Sequence, residues 1–266
     1  MNVFLRKDVK NMGRIITIAN QKGGVGKTTT AINLSACLAE AGQHVMLVDF
    51  DPQGNASSGL GVEIEEHEHT VYDLMAEEAG LDECLVKNVQ DNLDVLPSDM
   101  NLAGAEIEFQ EIENKETLLK RYLDQVRDDY DFILIDCPPS LNILTINALT
   151  AADTVLVPIQ CEYYALEGLN QVLKTVELVR KKLNPQLELE GVVFTMYDSR
   201  TNLSAQVVEN VKSHLNQKVY RTVIPRNIRL AEAPSYGQPI NIYDPKSAGA
   251  ESYLALAEEV IDRKGE

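Results

Sequence analysis

The fold is decided by the stretch NQKGGVGKTT (20–29), which follows the apolar run RIITIAN (14–20) and precedes a segment of helical periodicity (28–41). A glycine-rich loop between a strand and a helix directs successive backbone N–H groups toward one point, and the helix N-terminus adds the positive end of its dipole. Such a loop binds phosphate groups. The stretch therefore predicts a P-loop nucleotide site.

Individual residues of this loop have separate predicted roles. Lys27 can reach the β- and γ-phosphates of a nucleotide, and the hydroxyl group of Thr28 can bind Mg²⁺. The glycines of the loop are expected to permit unusual backbone angles and a close approach of phosphate, which a β-carbon would obstruct. The predicted nucleotide-binding residues of the loop are Lys22, Gly23, Gly24, Val25, Gly26, Lys27, Thr28 and Thr29.

The loop departs from the usual G-x-x-x-x-G-K-[ST] pattern, because Gln21 occupies the position of the first glycine and a second lysine, Lys22, follows it. A lysine at the start of the loop cannot easily fold back onto phosphates that Lys27 already holds. We expect it to reach the nucleotide of a second copy of the chain, as an arginine finger does. The alternative, a solvated surface lysine, stays open.

Two aspartate-bearing motifs are predicted at the carboxyl ends of strands, where open parallel sheets bind ligands. FILID (132–136) ends in Asp136, which is expected to contact magnesium through a water. VDFDPQGN (48–55) places Asp49 at a strand end and Asp51 two residues later, and we expect Asp51 to orient or activate the attacking water. Alternatively, either aspartate of the second motif only caps a turn.

The rest of the chain alternates apolar runs rich in β-branched residues with segments of helical periodicity, of which residues 162–183 are the clearest. This alternation predicts right-handed βαβ units. The expected fold is α/β: a single-domain P-loop NTPase with a twisted, mostly parallel central sheet flanked by helices on both faces. The predicted strands are 14–20, 44–50, 93–98, 131–138, 153–159, 190–196 and 220–225.

Composition excludes several classes of protein. The four cysteines form no C-x-x-C pair, so neither a zinc site, an iron–sulfur site nor a disulfide framework is predicted. No apolar stretch has the length of a transmembrane helix, and residues 1–12 lack the features of a signal peptide, so a cytoplasmic protein is expected. The net charge of −17 opposes nucleic-acid binding overall, so only a local basic patch could bind DNA.

Six motifs together resemble the ParA/Soj chromosome-partitioning ATPases of the deviant Walker A class. The resemblance runs from about Gly13 almost to the C-terminus, so a deviant Walker A ATPase domain is predicted over 13–264, preceded by a flexible leader over 1–12. The motifs are KGGVGKTTT (22–30), VDFDPQGNASSGLG (48–61), IDCPPS (135–140), PIQCEYYALEGL (158–169), TMYDSRTNLS (195–204) and VIPRNIRLAEAPSYGQPI (223–240).

The resemblance implies ATP and Mg²⁺ as cofactors and a role for each matching residue. Two monomers are expected to close around two ATP molecules, and this dimer to bind DNA without sequence preference, which implies association with the nucleoid. A ParB-type centromere-binding protein would then stimulate hydrolysis and release monomers. The implied roles are catalysis for Asp51, Lys22 and Lys27, an interface position for Gly23, magnesium binding for Thr28 and Asp136, adenine binding for Pro225 and Asn227, and DNA binding for Arg200 and Arg229.

Three alternatives remain open at this stage. A MinD-like membrane-cycling ATPase shares the loop, but the C-terminal stretch SYLALAEEVIDRKGE (252–266) is acidic through its middle, which is the wrong sign for anionic lipid. A metabolic synthetase or an iron–sulfur carrier uses the same fold, although the carrier would need paired cysteines and the synthetase a second small-molecule pocket. A regulator of replication initiation overlaps with partitioning and is compatible with it.

Overall fold

The computed structural model describes residues 12–162, 165–215 and 218–264. Apart from Met12, the predicted leader lies outside the described residues. Eight β-strands occur in these ranges: β1 (Arg14–Ile18), β2 (Val45–Asp49), β3 (Val86–Gln90), β4 (Leu93–Leu96), β5 (Phe132–Asp136), β6 (Thr154–Gln160), β7 (Glu188–Tyr197) and β8 (Val219–Pro225).

The strands form one sheet in the order β3-β4-β2-β5-β1-β6-β7-β8. Every neighbouring pair is parallel except β3 and β4, which are antiparallel. The seven predicted strands and the mostly parallel sheet are therefore confirmed. The strand β3 was not predicted, because its residues VKNVQ include only two apolar side chains, three residues apart, and lie partly exposed at the edge of the sheet, without the continuous apolar run of a central strand.

Helices connect the strands and cover both faces of the sheet. Short 3₁₀ turns occur at Ile64–Glu66, Met100–Gly104, Phe109–Glu111, Lys115–Thr117, Arg127–Asp129 and Ala233–Tyr236. The helices in the described ranges are α1 (Lys27–Glu40), α2 (Asn55–Gly59), α3 (Val71–Met75), α4 (Leu81–Cys84), α5 (Ala105–Glu108), α6 (Leu118–Val126), α7 (Ile143–Ala151), α8 (Ala165–Lys182), α9 (Asn202–Leu215), α10 (Ile228–Glu232), α11 (Ile240–Tyr243) and α12 (Ala248–Lys264).

The core consists of two apolar layers, one on each face of the sheet. Because side chains alternate along a strand, Ile133 and Ile135 of β5 pack into the layer formed with α6 to α9, whereas Phe132 and Leu134 pack into the layer formed with α1 and α12. Both sets are fully buried. This two-sided burial explains why the central strands read as continuous apolar runs, and it confirms the helices on both faces.

The helix α1 leaves the loop that follows β1 and packs against α12. It ends at Glu40, close to the end of the segment predicted over 28–41, and Gly42 follows with a left-handed φ of +82° and an N–H that donates to the carbonyl oxygen of Ala39 at 2.9 Å. All four cysteines lie in the described ranges and are buried thiols. No helix among the described residues is long and apolar enough to cross a membrane.

Candidate nucleotide site

The loop between β1 and α1 lies at the carboxyl edge of the sheet. Gly24 and Gly26 have φ angles of +73° and +87°, which side chains other than glycine rarely adopt, so these two glycines are required by the backbone. Gly23 differs from the prediction, because its φ is not positive, and a β-carbon there would meet no atom of the described residues within 4 Å.

Two polar side chains anchor this loop to neighbouring strands. The Asn20 side-chain amide donates to the carbonyl oxygen of Pro158 in β6 at 2.8 Å, and its Oδ1 accepts from the Lys22 N–H at 3.0 Å. The Thr195 hydroxyl of β7 donates to the carbonyl oxygen of Val25 at 2.8 Å. Both anchors are largely buried, so they hold the loop in a fixed position above the sheet.

Lys27 begins α1 and points into the site. Its side chain is buried, and Nζ donates to the carbonyl oxygen of Lys22 at 3.3 Å. Burial lowers the pKa of Lys27 from its ordinary value, whereas the charges of Asp136, Cys137 and Asp51 oppose that shift. The ammonium group therefore lies between the loop and the carboxylates of Asp136 and Asp51, in a position to neutralise a bound phosphate.

Asp136 ends β5 with both carboxylate oxygens buried and without a hydrogen-bond partner of normal geometry among the described residues. Burial raises the pKa of Asp136 well above its ordinary value, and Asp49 raises it further. The side chains of Thr28 and Lys27 lie near enough to lower it. A buried carboxylate that its neighbours satisfy so poorly is the group that a cation would satisfy.

The charges around Lys27 also fit magnesium. Two carboxylates, those of Asp51 and Asp136, lie near one ammonium group, and the carboxylate of Asp49 lies near Asp136, which leaves an excess of negative charge when all are ionised. A triphosphate alone would be repelled by this excess, whereas a divalent cation between Asp136 and the phosphates would offset it. Thr28 and Asp136 are the residues that could hold Mg²⁺, with substrate phosphates and water as its other ligands.

Asp49 has a structural role that the sequence analysis left open as turn capping. Its Oδ2 accepts from the Ser57 N–H at 2.8 Å and from the Ser57 hydroxyl at 2.7 Å, and its Oδ1 accepts from the Asp51 N–H at 3.3 Å. Burial raises the pKa of Asp49 to about 6, although the hydrogen bonds from Ser57 oppose the rise. Asp49 thus holds the segment between β2 and α2 in place.

Asp51 lies two residues beyond β2 and is nearly buried, with 8% of its surface exposed. Its Oδ1 accepts from the Gln53 N–H at 3.1 Å, whereas no described residue donates a hydrogen bond to Oδ2. One oxygen is therefore fixed by its own turn and the other is available to a water. This arrangement suits a group that orients or deprotonates a nucleophile.

Lys22 lies outside this cluster, although it belongs to the same loop. Its side chain is 43% exposed, and Nζ forms an ion pair with Oε2 of Glu162, which follows β6. Thus the two lysines have opposite surroundings: Lys27 is buried beside the carboxylates of the site, and Lys22 points away from them toward solvent and Glu162.

A cavity of about 440 Å³ adjoins the loop on its β7–β8 side. Asn227 lies on its wall, and its Oδ1 caps α10 by accepting from the Arg229 N–H at 2.8 Å, so its amide N–H groups remain for a ligand. Met196, also on the wall, has the unusual φ of +50°. The lining is mostly apolar and suits a planar base: Gly26, Thr29, Thr195, Met196, Ile224, Pro225, Arg226, Asn227, Ile228, Leu230, Ala231 and Tyr253.

The two arginines predicted for DNA lie on the surface. Arg200 is 84% exposed and forms a bidentate pair with Asp198, at 2.9 and 2.7 Å. This pair lowers the pKa of Asp198 to about 2. Arg229 is half-exposed and pairs with Glu232 at 2.8 Å and Asp244 at 3.4 Å. Each cation is thus accessible, but each has an acidic neighbour.

Several residues of the site were missed by the sequence analysis. Thr195 and Tyr253 carry no local signal, because their roles depend on which strands and helices become neighbours in the sheet. Glu162 lies within a quoted family motif, but nothing in that motif indicates its contact with Lys22. Only the pattern of the loop itself could have drawn attention to Asn20, which immediately precedes it.

The fold and the site together define a P-loop nucleotide hydrolase with a buried lysine at the start of α1. A family model described as an AAA domain matches residues 13–189. The chain is 59% identical to the sporulation initiation inhibitor protein Soj of Bacillus subtilis over 249 residues, which cover 94% of this chain and 98% of Soj. It is 53% identical to the chromosome partitioning protein ParA of Caulobacter vibrioides over 253 residues, covering 94% and 95%.

Solved structures give the same result for the fold. A crystal structure of cobyrinic acid a,c-diamide synthase from Mycobacterium smegmatis with bound ADP and magnesium superposes with a TM-score of 0.84 at 37% identity, covering 96% of each chain. The chain belongs to the ParA/Soj family of chromosome-partitioning ATPases. The protein is an ATPase, and its cofactors are ATP and Mg²⁺.

Proposed function

We propose that the chain is a DNA-partitioning switch in which ATP joins two copies of the chain, the dimer binds DNA without sequence preference, and hydrolysis returns it to monomers. A ParB-type centromere-binding protein stimulates the hydrolysis in this proposal. Regulation of replication initiation is compatible with the same cycle. Partitioning relatives that match along almost the whole chain support the proposal.

The observation that carries the proposal is the separation of the two loop lysines. Lys27 lies buried among the carboxylates of its own site, whereas the Lys22 ammonium group points out of that site. Gly23, between them in the loop, faces a space where a β-carbon would meet no atom of the described residues within 4 Å. The ammonium group of Lys22 and the backbone of Gly23, which has no side chain, lie next to each other in the loop. A second copy of the chain can therefore approach closely, and Lys22 would neutralise the triphosphate bound to that copy.

In this cycle each residue of the nucleotide site has a distinct role. Lys27 and the loop N–H groups bind the β- and γ-phosphates, while Pro225 and Asn227 hold the base in the apolar cavity. Thr28 and Asp136 hold Mg²⁺, which neutralises charge on the phosphates. Asp51 accepts a hydrogen bond from the attacking water. Loss of the γ-phosphate removes the charge that Lys22 of the other copy neutralises, so the dimer separates.

Replacing Lys22 by Ala should leave the affinity of the monomer for ATP within about threefold, since the Lys22 side chain lies outside its own phosphate site. The variant should fail to dimerise, because the triphosphate of each copy loses its partner cation. Sedimentation velocity with Mg²⁺ and ATP, ADP or no nucleotide measures this. An ATP-dependent dimer of Lys22→Ala with the affinity of the unmodified chain would contradict the proposed switch.

DNA binding requires a local positive surface on a chain of net charge −17. Arg200 and Arg229 are exposed, and in a symmetric dimer each occurs twice, which gives four cations. Their acidic neighbours must be exchanged for DNA phosphates, so binding should weaken steeply as the salt concentration rises. Association with the nucleoid follows from the same contacts.

Replacing both Arg200 and Arg229 by Ala should weaken DNA binding at least about a hundredfold at 0.1 M salt, because four phosphate contacts are lost per dimer. Dimerisation with ATP should be unchanged. The matched control is the double variant Lys120→Ala and Lys181→Ala, which removes the same charge from two exposed intrahelical ion pairs. Fluorescence anisotropy with duplexes of unrelated sequence measures the affinity. An equal loss of DNA affinity in both double variants would show that Arg200 and Arg229 do not form the DNA-binding surface.

The MinD-like and synthetase alternatives are less well supported. Relatives with partitioning names are 50% or more identical to this chain, whereas the synthase structures are 37% identical and share a fold that hosts many functions. An ATPase rate that rises with duplex DNA would favour partitioning. Co-sedimentation with anionic liposomes in the presence of ATP would favour membrane cycling.

A further inference from the structure

In the monomer, Lys22 is held by Asn20 and Glu162, which lie outside the group of carboxylates around Lys27. Asn20 joins the loop after β1 to β6 through the carbonyl oxygen of Pro158, and it also accepts from the Lys22 N–H. The turn after β6 is closed by the Glu162 N–H, which donates to the carbonyl oxygen of Gln160 at 2.8 Å. These contacts hold Lys22 and Glu162 side by side, and their charged groups form an ion pair.

This pair competes with the proposed contact across the dimer. The ammonium group of Lys22 carries one positive charge. In the monomer the carboxylate of Glu162 from the same chain already neutralises that charge. Two copies of the chain that approach each other must therefore break two such pairs before both lysines can reach a triphosphate. The attraction that favours the monomer and the attraction that favours the dimer act on the same ammonium group.

We propose that Glu162 is a positioning residue that holds Lys22 in the monomer, and that it raises the ATP-dependent dissociation constant of the dimer. The inference rests on the proposed ATP-dependent dimer. Glu162 contacts none of the reacting atoms, so it acts only through Lys22. Its function is to keep the chain monomeric until Mg²⁺ and ATP supply a stronger counter-charge than one carboxylate.

The expected size of the effect is moderate. Lys22 and Glu162 are 43% and 40% exposed, and ion pairs with such exposure shift an equilibrium by about 1.4- to 5-fold each. Two pairs are broken per dimer, so removing the Glu162 charge should tighten the dimer by about two- to thirtyfold. Such an effect changes the balance between monomer and dimer without removing its dependence on ATP.

The test compares Glu162→Gln with Glu167→Gln as the matched control. Both acids line the same groove between α8 and α9, and both substitutions remove one negative charge, but Glu167 forms no ion pair with the described residues. Sedimentation velocity over a range of protein concentrations, with Mg²⁺ and the non-hydrolysable analogue AMPPNP, gives the dissociation constant of each dimer. Thermal unfolding and ADP affinity of the monomers should match the unmodified chain.

Tighter dimerisation of Glu162→Gln than of Glu167→Gln, with Glu162→Asp returning toward the unmodified value, is the expected result. An equal effect of the two substitutions would show that Glu162 is a surface charge without a role, and weaker dimerisation of Glu162→Gln would mean that it acts within the dimer contact instead. Either outcome overturns the inference. Absence of any AMPPNP-dependent dimer in the unmodified chain would instead contradict the proposed function.

Discussion

Replacing Lys27 by Ala should abolish ATP binding at physiological concentrations. The ammonium group of Lys27 is buried beside Asp136 and Asp51, so its removal leaves these carboxylates facing the phosphates without a protein cation between them. Loss of a buried charged partner of this kind amounts to about 2–5 kcal/mol, which is about thirty- to several-thousandfold in the dissociation constant. Isothermal titration calorimetry with Mg²⁺ and ATP measures the change.

The matched control for Lys27→Ala is Lys22→Ala, five residues earlier in the same loop. Both variants lose one ammonium group, but only Lys27 lies within the site, so only its loss should weaken binding in the monomer. Circular dichroism establishes that each variant is folded. If Lys27→Ala bound ATP as tightly as Lys22→Ala, the loop would not be the phosphate site.

The phosphate site could be predicted from sequence because its parts are local. Successive residues from 20 to 29 supply the loop and the start of α1, and the order strand, loop, helix is visible in the periodicity of the chain. The carboxyl ends of β2 and β5 were predictable as well, because each apolar run stops at an aspartate. The register that pairs Asp49 with Asp136 on neighbouring strands then brings the carboxylates together.

The surroundings of these residues could not be predicted, because they depend on which distant segments become neighbours. The cavity beside the loop is lined by Met196 from the end of β7 and Tyr253 from α12, which are far apart in the chain. The motif VDFDPQGN (48–55) suggested the water-orienting role for Asp51, but it left turn capping open for both aspartates. The hydrogen bonds from Ser57 give Asp49 a structural role in the fold. Asp51 receives no hydrogen bond from Ser57, so it remains available to a water.

The structure also changes the interpretation of charge. The sequence gives a single net charge of −17, but the three-dimensional arrangement shows where individual cations are already neutralised. Lys22, Arg200 and Arg229 each pair with a carboxylate of their own chain. In the proposed cycle, Lys22 exchanges its carboxylate partner for a triphosphate, and the two arginines exchange theirs for DNA phosphates. The affinities of the ATP-dependent dimer and of DNA binding should therefore depend on the carboxylates that pair with these cations.

Replacing Asp51 by Ala should lower the rate of ATP hydrolysis by about a hundred- to ten-thousandfold while preserving ATP binding. Oδ1 of Asp51 is fixed by the Gln53 N–H, and Oδ2 is the nearly buried acceptor that a nucleophilic water can reach. Without it the water has no group to orient it or to accept its proton. The variant should therefore accumulate as an ATP-bound dimer, which gel filtration with ATP and a phosphate-release assay detect together.

Asp51→Asn separates the chemistry of Asp51 from its structural contact. The amide oxygen can still accept from the Gln53 N–H, so the turn should persist, but an amide accepts a proton far less readily than a carboxylate. If Asp51 acts as a base, Asn should be as slow as Ala, and if it only orients the water through an accepted hydrogen bond, Asn should retain part of the rate. Turnover of Asp51→Ala at the rate of the unmodified chain would exclude both roles, because neither mechanism operates without a carboxylate or amide at this position.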